Sequence, residues 1–134
     1  MPNRIFVDTS FVLALINDRD QYHENALMLS EKFNNSFWIT TSGILLEVGN
    51  SLAKNFKAEA LFIIKAFQNS KTVEIIEVNQ ELFDKGLDIY EKFDDKDWGL
   101  VDCVSFAVMW EREIFEVLTL DDDFKQAGFI VLEN

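Results

Sequence analysis

The sequence predicts a single-domain α/β protein, a three-layer α/β/α arrangement whose central sheet is mainly parallel, spanning residues 1–134. Three observations predict it. Short β-branched and aromatic runs recur along the chain, and most are separated from the next by one or two helical segments, the alternation that builds a parallel sheet covered on both faces. The length suits one domain and leaves little room for a second. Hydrophobic residues make up 49% of the chain, thirteen of them phenylalanine, which supplies a core and excludes a disordered acidic chain.

Taken in order, Arg4-Ile5-Phe6-Val7 reads as a buried strand that ends at Asp8-Thr9-Ser10, three good helix N-caps, with a short apolar helix over Phe11–Asn17. A second helix runs from about Gln21 to Phe33, and Asn34-Asn35-Ser36 is a turn before a strand over Phe37–Thr40. Helices follow over Ser42–Lys54 and Ala58–Asn69. Thr72–Val78, rich in β-branched residues, is the third strand, and Gln80–Phe93 is helical. After the polar loop Asp94–Gly99 comes a helix over Leu100–Trp110. Phe115–Thr119 is a strand, Asp121–Phe124 a turn or short helix, and Phe129–Leu132 the last strand.

The single cysteine, Cys103, has no intrachain partner and sits in an apolar run, so it reads as a small core residue of a protein in a reducing compartment. Met1-Pro2-Asn3-Arg4 has no leader-like pattern, and no run approaches the ~20 apolar residues of a membrane span. A cytoplasmic protein is the expectation. The net charge of −12 opposes tight non-specific binding to a phosphate backbone and favours divalent cations or a basic protein partner.

Four acidic positions stand out. Asp102 lies in Leu100–Trp110, a helix apolar nearly all round and therefore buried, where a carboxylate is costly unless paired; the alternative is a first-turn residue complementing the helix dipole. Asp8 follows a strand and precedes a helix, which fits either an N-cap or a site at the carboxyl end of the sheet. Glu47 is in mid-helix with Gly43 and Ser51 four residues to either side, leaving room for a ligand, although an exposed helical glutamate would look the same. Asp121-Asp122-Asp123 follows a late strand, and a solvated turn is the alternative. Carboxylates about 5 Å apart repel by roughly 3 kcal/mol per pair at an effective dielectric of ~20, so a cluster of four needs protons or a divalent cation. Hard oxygen donors without histidine or cysteine select Mg²⁺ or Mn²⁺ over zinc. The only histidine, His23, lies on the polar side of an early helix.

The order of Asp8-Thr9-Ser10, Glu47, Asp102-x-x-Ser105-Phe106 and Thr119-x-Asp121-x-x-Phe124 resembles the PIN domain family, and in length the whole chain is similar to the VapC-type toxins of prokaryotic toxin–antitoxin pairs. The resemblance implies a Mg²⁺- or Mn²⁺-dependent endoribonuclease leaving 5′-phosphate and 3′-hydroxyl ends. It matches Asp8, Glu47, Asp102 and Asp121 to the catalytic and metal-binding acids, with Asp123 an alternative fourth ligand. Thr9, Ser105 and Thr119 match polar positions that orient the carboxylates or bound water. It also implies an RNA substrate, a VapB-like antitoxin and a homodimer. Arg4, Lys54, Lys57 and Lys125 are the basic residues that could line the approach of RNA.

Two other classes fit less of the sequence. A receiver-type signalling domain needs an Asp after the third strand and a Lys after a late one, where this chain has Val78-Asn79 and Thr119. A haloacid-dehalogenase-type phosphatase needs a second Asp at the place of Ser10. A catalytically silent PIN-fold binding module remains a rival, opposed by the presence of all four acids.

Overall fold

The structure is a computed structural model and describes residues 3–134; the leader-free reading of Met1 and Pro2 lies outside the described residues. Among the described residues five strands form one sheet: β1 (Arg4–Val7), β2 (Phe37–Thr41), β3 (Val73–Ile76), β4 (Glu116–Leu118) and β5 (Ile130–Val131). Their order is β3-β2-β1-β4-β5 and every neighbouring pair is parallel. The mainly parallel sheet expected from the sequence is thus parallel throughout. Ile5, Phe6 and Val7 point alternately to the two faces of β1 and are all fully buried, so helices cover both sides of the central strand.

Seven helices among the described residues connect the strands: α1 (Thr9–Ile16), α2 (His23–Lys32), α3 (Ser42–Leu52), α4 (Lys57–Asn69), α5 (Gln80–Lys92), α6 (Leu100–Arg112) and α7 (Asp123–Gln126). α1 packs on α2 and α3, and α3 on α4, while α5 and α7 pack on α6. Among the described residues no helix is long and apolar enough to cross a membrane.

Every segment expected from the sequence is present, and the shifts at the ends have local causes. α1 starts at Thr9 because Asp8 takes an extended conformation (φ −93°, ψ 160°) and releases its successors into the first turn. β3 stops at Ile76 because its partner β2 stops at Thr41, and the Val78 amide turns instead to the Ser42 hydroxyl at 2.9 Å. α6 runs two residues past Trp110, where Glu113 adopts a left-handed conformation (φ 55°) and Ile114 N–H reaches back to the Met109 carbonyl at 2.9 Å. That is the bonding pattern of a Schellman stop, and buried Ile114 supplies its apolar contact.

α6 is the buried helix its composition foretold, with Cys103 through Met109 all inaccessible. α5 approaches it closely enough that a β-carbon on Gly86 would lie 2.4 Å from Val104 Cγ2 and 3.0 Å from Val104 Cα. Only glycine fits there without moving backbone. Replacing Gly86 with Ala should therefore destabilise the fold by about 1–3 kcal/mol, the usual scale of overpacking, despite alanine's better helix propensity. Urea denaturation would show a lower midpoint at unchanged slope; an unchanged midpoint would mean that α5 and α6 part freely.

Candidate active site

The strand order reverses between β1 and β4, and in an open parallel sheet that crevice, beyond the carboxyl ends of the strands, is where ligands bind. Val7 pairs with Leu118, and the Asp8 amide continues the ladder to the Leu118 carbonyl at 3.0 Å. Asp8 and Thr119 therefore leave adjacent strands side by side. Thr119 Oγ1 donates to Asp8 Oδ2 at 2.8 Å, and Ser10 Oγ donates to the same oxygen at 2.9 Å. The Ser10 hydroxyl in turn accepts from the Leu120 amide at 2.9 Å, which ties the start of α1 to the end of β4. Asp8 is the N-cap of α1 by position, yet its side chain makes no capping hydrogen bond and faces the hydroxyls instead. Both hydroxyls hold Oδ2, leaving Oδ1 as the oxygen for another partner. Burial raises the Asp8 pKa, and the bonds from Thr119 and Ser10 oppose that rise.

α6 begins at this crevice and presents Asp102 from its first turn. One Asp102 oxygen, Oδ2, accepts from the Gly99 amide at 3.4 Å, so the dipole-complementing alternative holds in part, yet it does not exhaust the residue. Oxygen atoms of Asp102, Asp121 and Asp123 all lie within 4.8 Å of one another. The Asp102 pKa is pushed up to about 8, first by burial, then by the shared hydrogen bond with Asp123 and by the charges of Asp8, Asp123 and Asp121. Asp121 reaches the cluster because Phe124, three residues on, is fully buried against Phe6 (ring centroids 6.1 Å apart) and Phe106 (5.0 Å, edge-to-face). The Asp123 amide on the Asp121 carboxylate (3.3 Å) closes that turn.

Glu47 stands at one remove. Its Oε1 accepts from Thr9 Oγ1 at 2.6 Å, and Thr9 is Asp8's neighbour in the chain. Of the expected acids, then, Asp8, Asp102 and Asp121 converge, Glu47 flanks them through Thr9, and Asp123 joins Asp121 rather than replacing it. Thr9 and Thr119 do orient carboxylates. Ser105 donates its hydroxyl to the Val101 carbonyl at 3.0 Å, back along its own helix, and orients no carboxylate. Ser10 takes the part expected of it; its signal was the N-cap run Asp8-Thr9-Ser10, which brings a hydroxyl two residues beyond the acid.

Arg4 lies at the opposite end of β1, its guanidinium on the Arg112 carbonyl at 2.8 Å, and cannot line the approach to the carboxylates. His23 joins α2 to α1 through Nδ1, 2.7 Å from the Ala14 carbonyl. Cys103 is a core residue whose thiol is pushed up to about 11, mainly by burial.

A PIN domain family model matches residues 5–130. The chain belongs to the PIN domain family. The 23S rRNA-specific endonuclease VapC20 of Mycobacterium tuberculosis is 31% identical over 126 residues, 94% of this chain and 95% of the relative. The crystal structure of M. tuberculosis VapC20, described as a Sarcin-Ricin loop cleaving toxin, superposes with a TM-score of 0.88 at 29% identity, covering 97% of this chain and 99% of the other. VapBC2 from Rickettsia felis, bound to a DNA fragment from its promoter, matches at TM-score 0.67 and 17% identity over 96% and 97% of the two chains, a likeness of fold alone. PIN domains are nucleases.

The raised Asp102 pKa has a consequence for stability. Below pH about 4 the carboxyl is protonated folded and unfolded alike; above that the unfolded chain ionises while the folded one keeps its proton up to about 8. The proton-linked stability is lost as pH rises through this window, and a raised Asp8 pKa acts in the same sense. In metal-free buffer the Tm of the wild type should fall relative to that of Asp102→Asn between pH 4 and 8, with Mg²⁺ or Mn²⁺ reversing the wild-type loss at pH 8. Parallel Tm curves for the two proteins would refute the crowding of these carboxylates.

Proposed function

We propose that the chain is a Mg²⁺- or Mn²⁺-dependent endoribonuclease, the toxin of a toxin–antitoxin pair, acting on structured ribosomal RNA. The observation that carries this reading is the meeting of Asp102, Asp121 and Asp123 oxygens within 4.8 Å, beside buried Asp8, at the strand-order switch. The donor set fits the ion: all are carboxylate oxygens, with no His or Cys ligand, which suits a hard divalent cation. Asp8, Asp102, Asp121 and Asp123 would hold it. When bound, such an ion neutralises charge on the phosphate and acidifies the attacking water.

The protein's own residues divide the remaining work. Thr119 and Ser10 fix the Asp8 oxygen that is not offered to the ion. Thr9 holds Glu47 by a short hydrogen bond, so that its free oxygen can orient the attacking water. The buried aromatic ring of Phe124 keeps the Asp121–Asp123 turn from swinging away under mutual repulsion. The rRNA substrate class is supported by the VapC20 relative at 31% identity. A VapB-like antitoxin as partner is supported by VapBC complexes of the same fold and by a net charge of −12, which suits basic side chains.

The reading is tested by incubating purified protein and its Asp102→Asn variant with ribosomal RNA in Mg²⁺, Mn²⁺ or EDTA. Discrete cuts bearing 5′-phosphates are expected with either metal, none with EDTA, and a loss of at least about 100-fold in the variant. Cleavage that survives EDTA and the substitution would end the assignment; a folded protein that never cuts would point to a silent binding module. A second measurement addresses the support of Asp8. Thr119→Val keeps shape but deletes the hydroxyl, and Mn²⁺ affinity by titration calorimetry should fall about 10–100-fold, the scale for residues that orient ligands.

A further inference from the structure

A groove of about 390 Å³ opens off the carboxylate centre between α2, the turn after β4 and the C-terminal residues; Thr119 and Asp121 line both the groove and the centre. Its other polar walls are Asp122, Glu133, Asn25, Asn134 and Lys125. Lys125 is exposed, and the ion pairs among the described residues belong to Lys85 and Arg112, so its ammonium group has no carboxylate partner even beside Asp121 and Asp122. Asn25 accepts from the Asn134 side-chain amide, and its own NH₂ is still available to donate.

A polynucleotide whose scissile phosphate lies on the carboxylates has to continue along the surface in one direction or another. The apolar groove next to Leu46 and Val101, the residues preceding Glu47 and Asp102, is walled by Phe83, Val78 and Val104 and carries no charged side chain; it offers a phosphate nothing. In a chain of net charge −12, and on walls that also carry Asp121, Asp122 and Glu133, an RNA phosphate is held only by direct pairing with a cation. Lys125 supplies one in the groove that shares walls with the centre. The volume is at the small end of the ~300–1,000 Å³ typical of ligand pockets, room for about one nucleotide and too little for a duplex.

Resting on the ribonuclease reading above, we propose that Lys125 is a substrate-positioning residue that grips the phosphate next to the scissile one, holding an unpaired nucleotide in the groove between α2 and the C-terminal residues. A single charge-assisted contact of this kind contributes binding and register without entering the chemistry.

The test compares the wild type with Lys125→Ala, Lys125→Arg and Lys71→Ala on an rRNA-derived stem-loop whose loop holds the cut, with Mg²⁺, at several salt concentrations. Lys71, exposed before the start of β3 at the end of the sheet opposite the carboxylates, is the control for general charge. Lys125→Ala should raise KM about 10-fold with kcat within about twofold, and should flatten the dependence of log(1/KM) on log[salt] by about one unit. Lys125→Arg should restore most of the KM, and Lys71→Ala should match the wild type. A wild-type enzyme that cuts, with Lys125→Ala keeping its KM and salt slope, would overturn this inference alone. Equal losses in Lys125→Ala and Lys71→Ala would overturn it in favour of a diffuse field. A wild type that cuts no RNA would overturn the ribonuclease reading and this one together.

Discussion

Mutual repulsion among carboxylates at one end of a parallel sheet is the constraint around which this protein is built. Asp8, Asp102, Asp121 and Asp123 come from three separate parts of the chain and are brought close enough that Asp102 keeps a proton to about pH 8. Left to themselves such groups would move apart. The neighbouring structure denies them that freedom: the β1–β4 ladder runs into Asp8, the first turn of α6 carries Asp102, and the buried Phe124 ring anchors the turn bearing the other two. Strain of this kind is tolerated where a ligand is meant to relieve it.

The hydroxyl residues around the centre are as informative as the acids. Ser10 and Thr119 meet one oxygen of Asp8, lie 3.1 Å from each other, and accept from the Leu120 and Asp121 amides respectively. The network locks one carboxylate and joins α1 to the end of β4 in the same stroke. Thr9 points away from this network and fixes Glu47 instead. Three consecutive residues, Asp8-Thr9-Ser10, therefore contribute one carboxylate of the centre and two orienting hydroxyls that address different carboxylates.

Much of this was legible in the sequence because local chemistry and fold agree. β1 is apolar at every interior position, α6 is apolar nearly all round, and the turn signals at Asn34–Ser36 and Asp94–Gly99 separate elements cleanly, so the alternation of strands and helices could be read without homologues. The three acids that converge were visible because each breaks a pattern: Asp8 and Asp121 end strands and Asp102 interrupts a buried helix. What was not legible depends on direction in space. Whether a hydroxyl faces a carboxylate or its own helix is decided by rotamer and packing, so Ser105 and Ser10 could not be told apart by type. Nor does the sequence tell that the turn brings oxygens of both Asp121 and Asp123 within 4.8 Å of Asp102. The place of Arg4 was not legible for a simpler reason: charge alone does not say which end of the sheet a residue faces.

The pairing of β1 with β4 also has a bearing on how the protein comes into being. Thr119 grips Asp8 across 111 positions of sequence, and the two strands that frame the crevice lie near opposite ends of the described chain. Synthesis delivers the N-terminal acid early, but its partners emerge from the ribosome only after almost everything else has been made. A nascent or truncated chain lacking the segment after β4 has no assembled centre, whatever else has folded. For a protein whose chemistry is directed at RNA, the carboxylate centre is thus completed only when the segment after β4 joins β1.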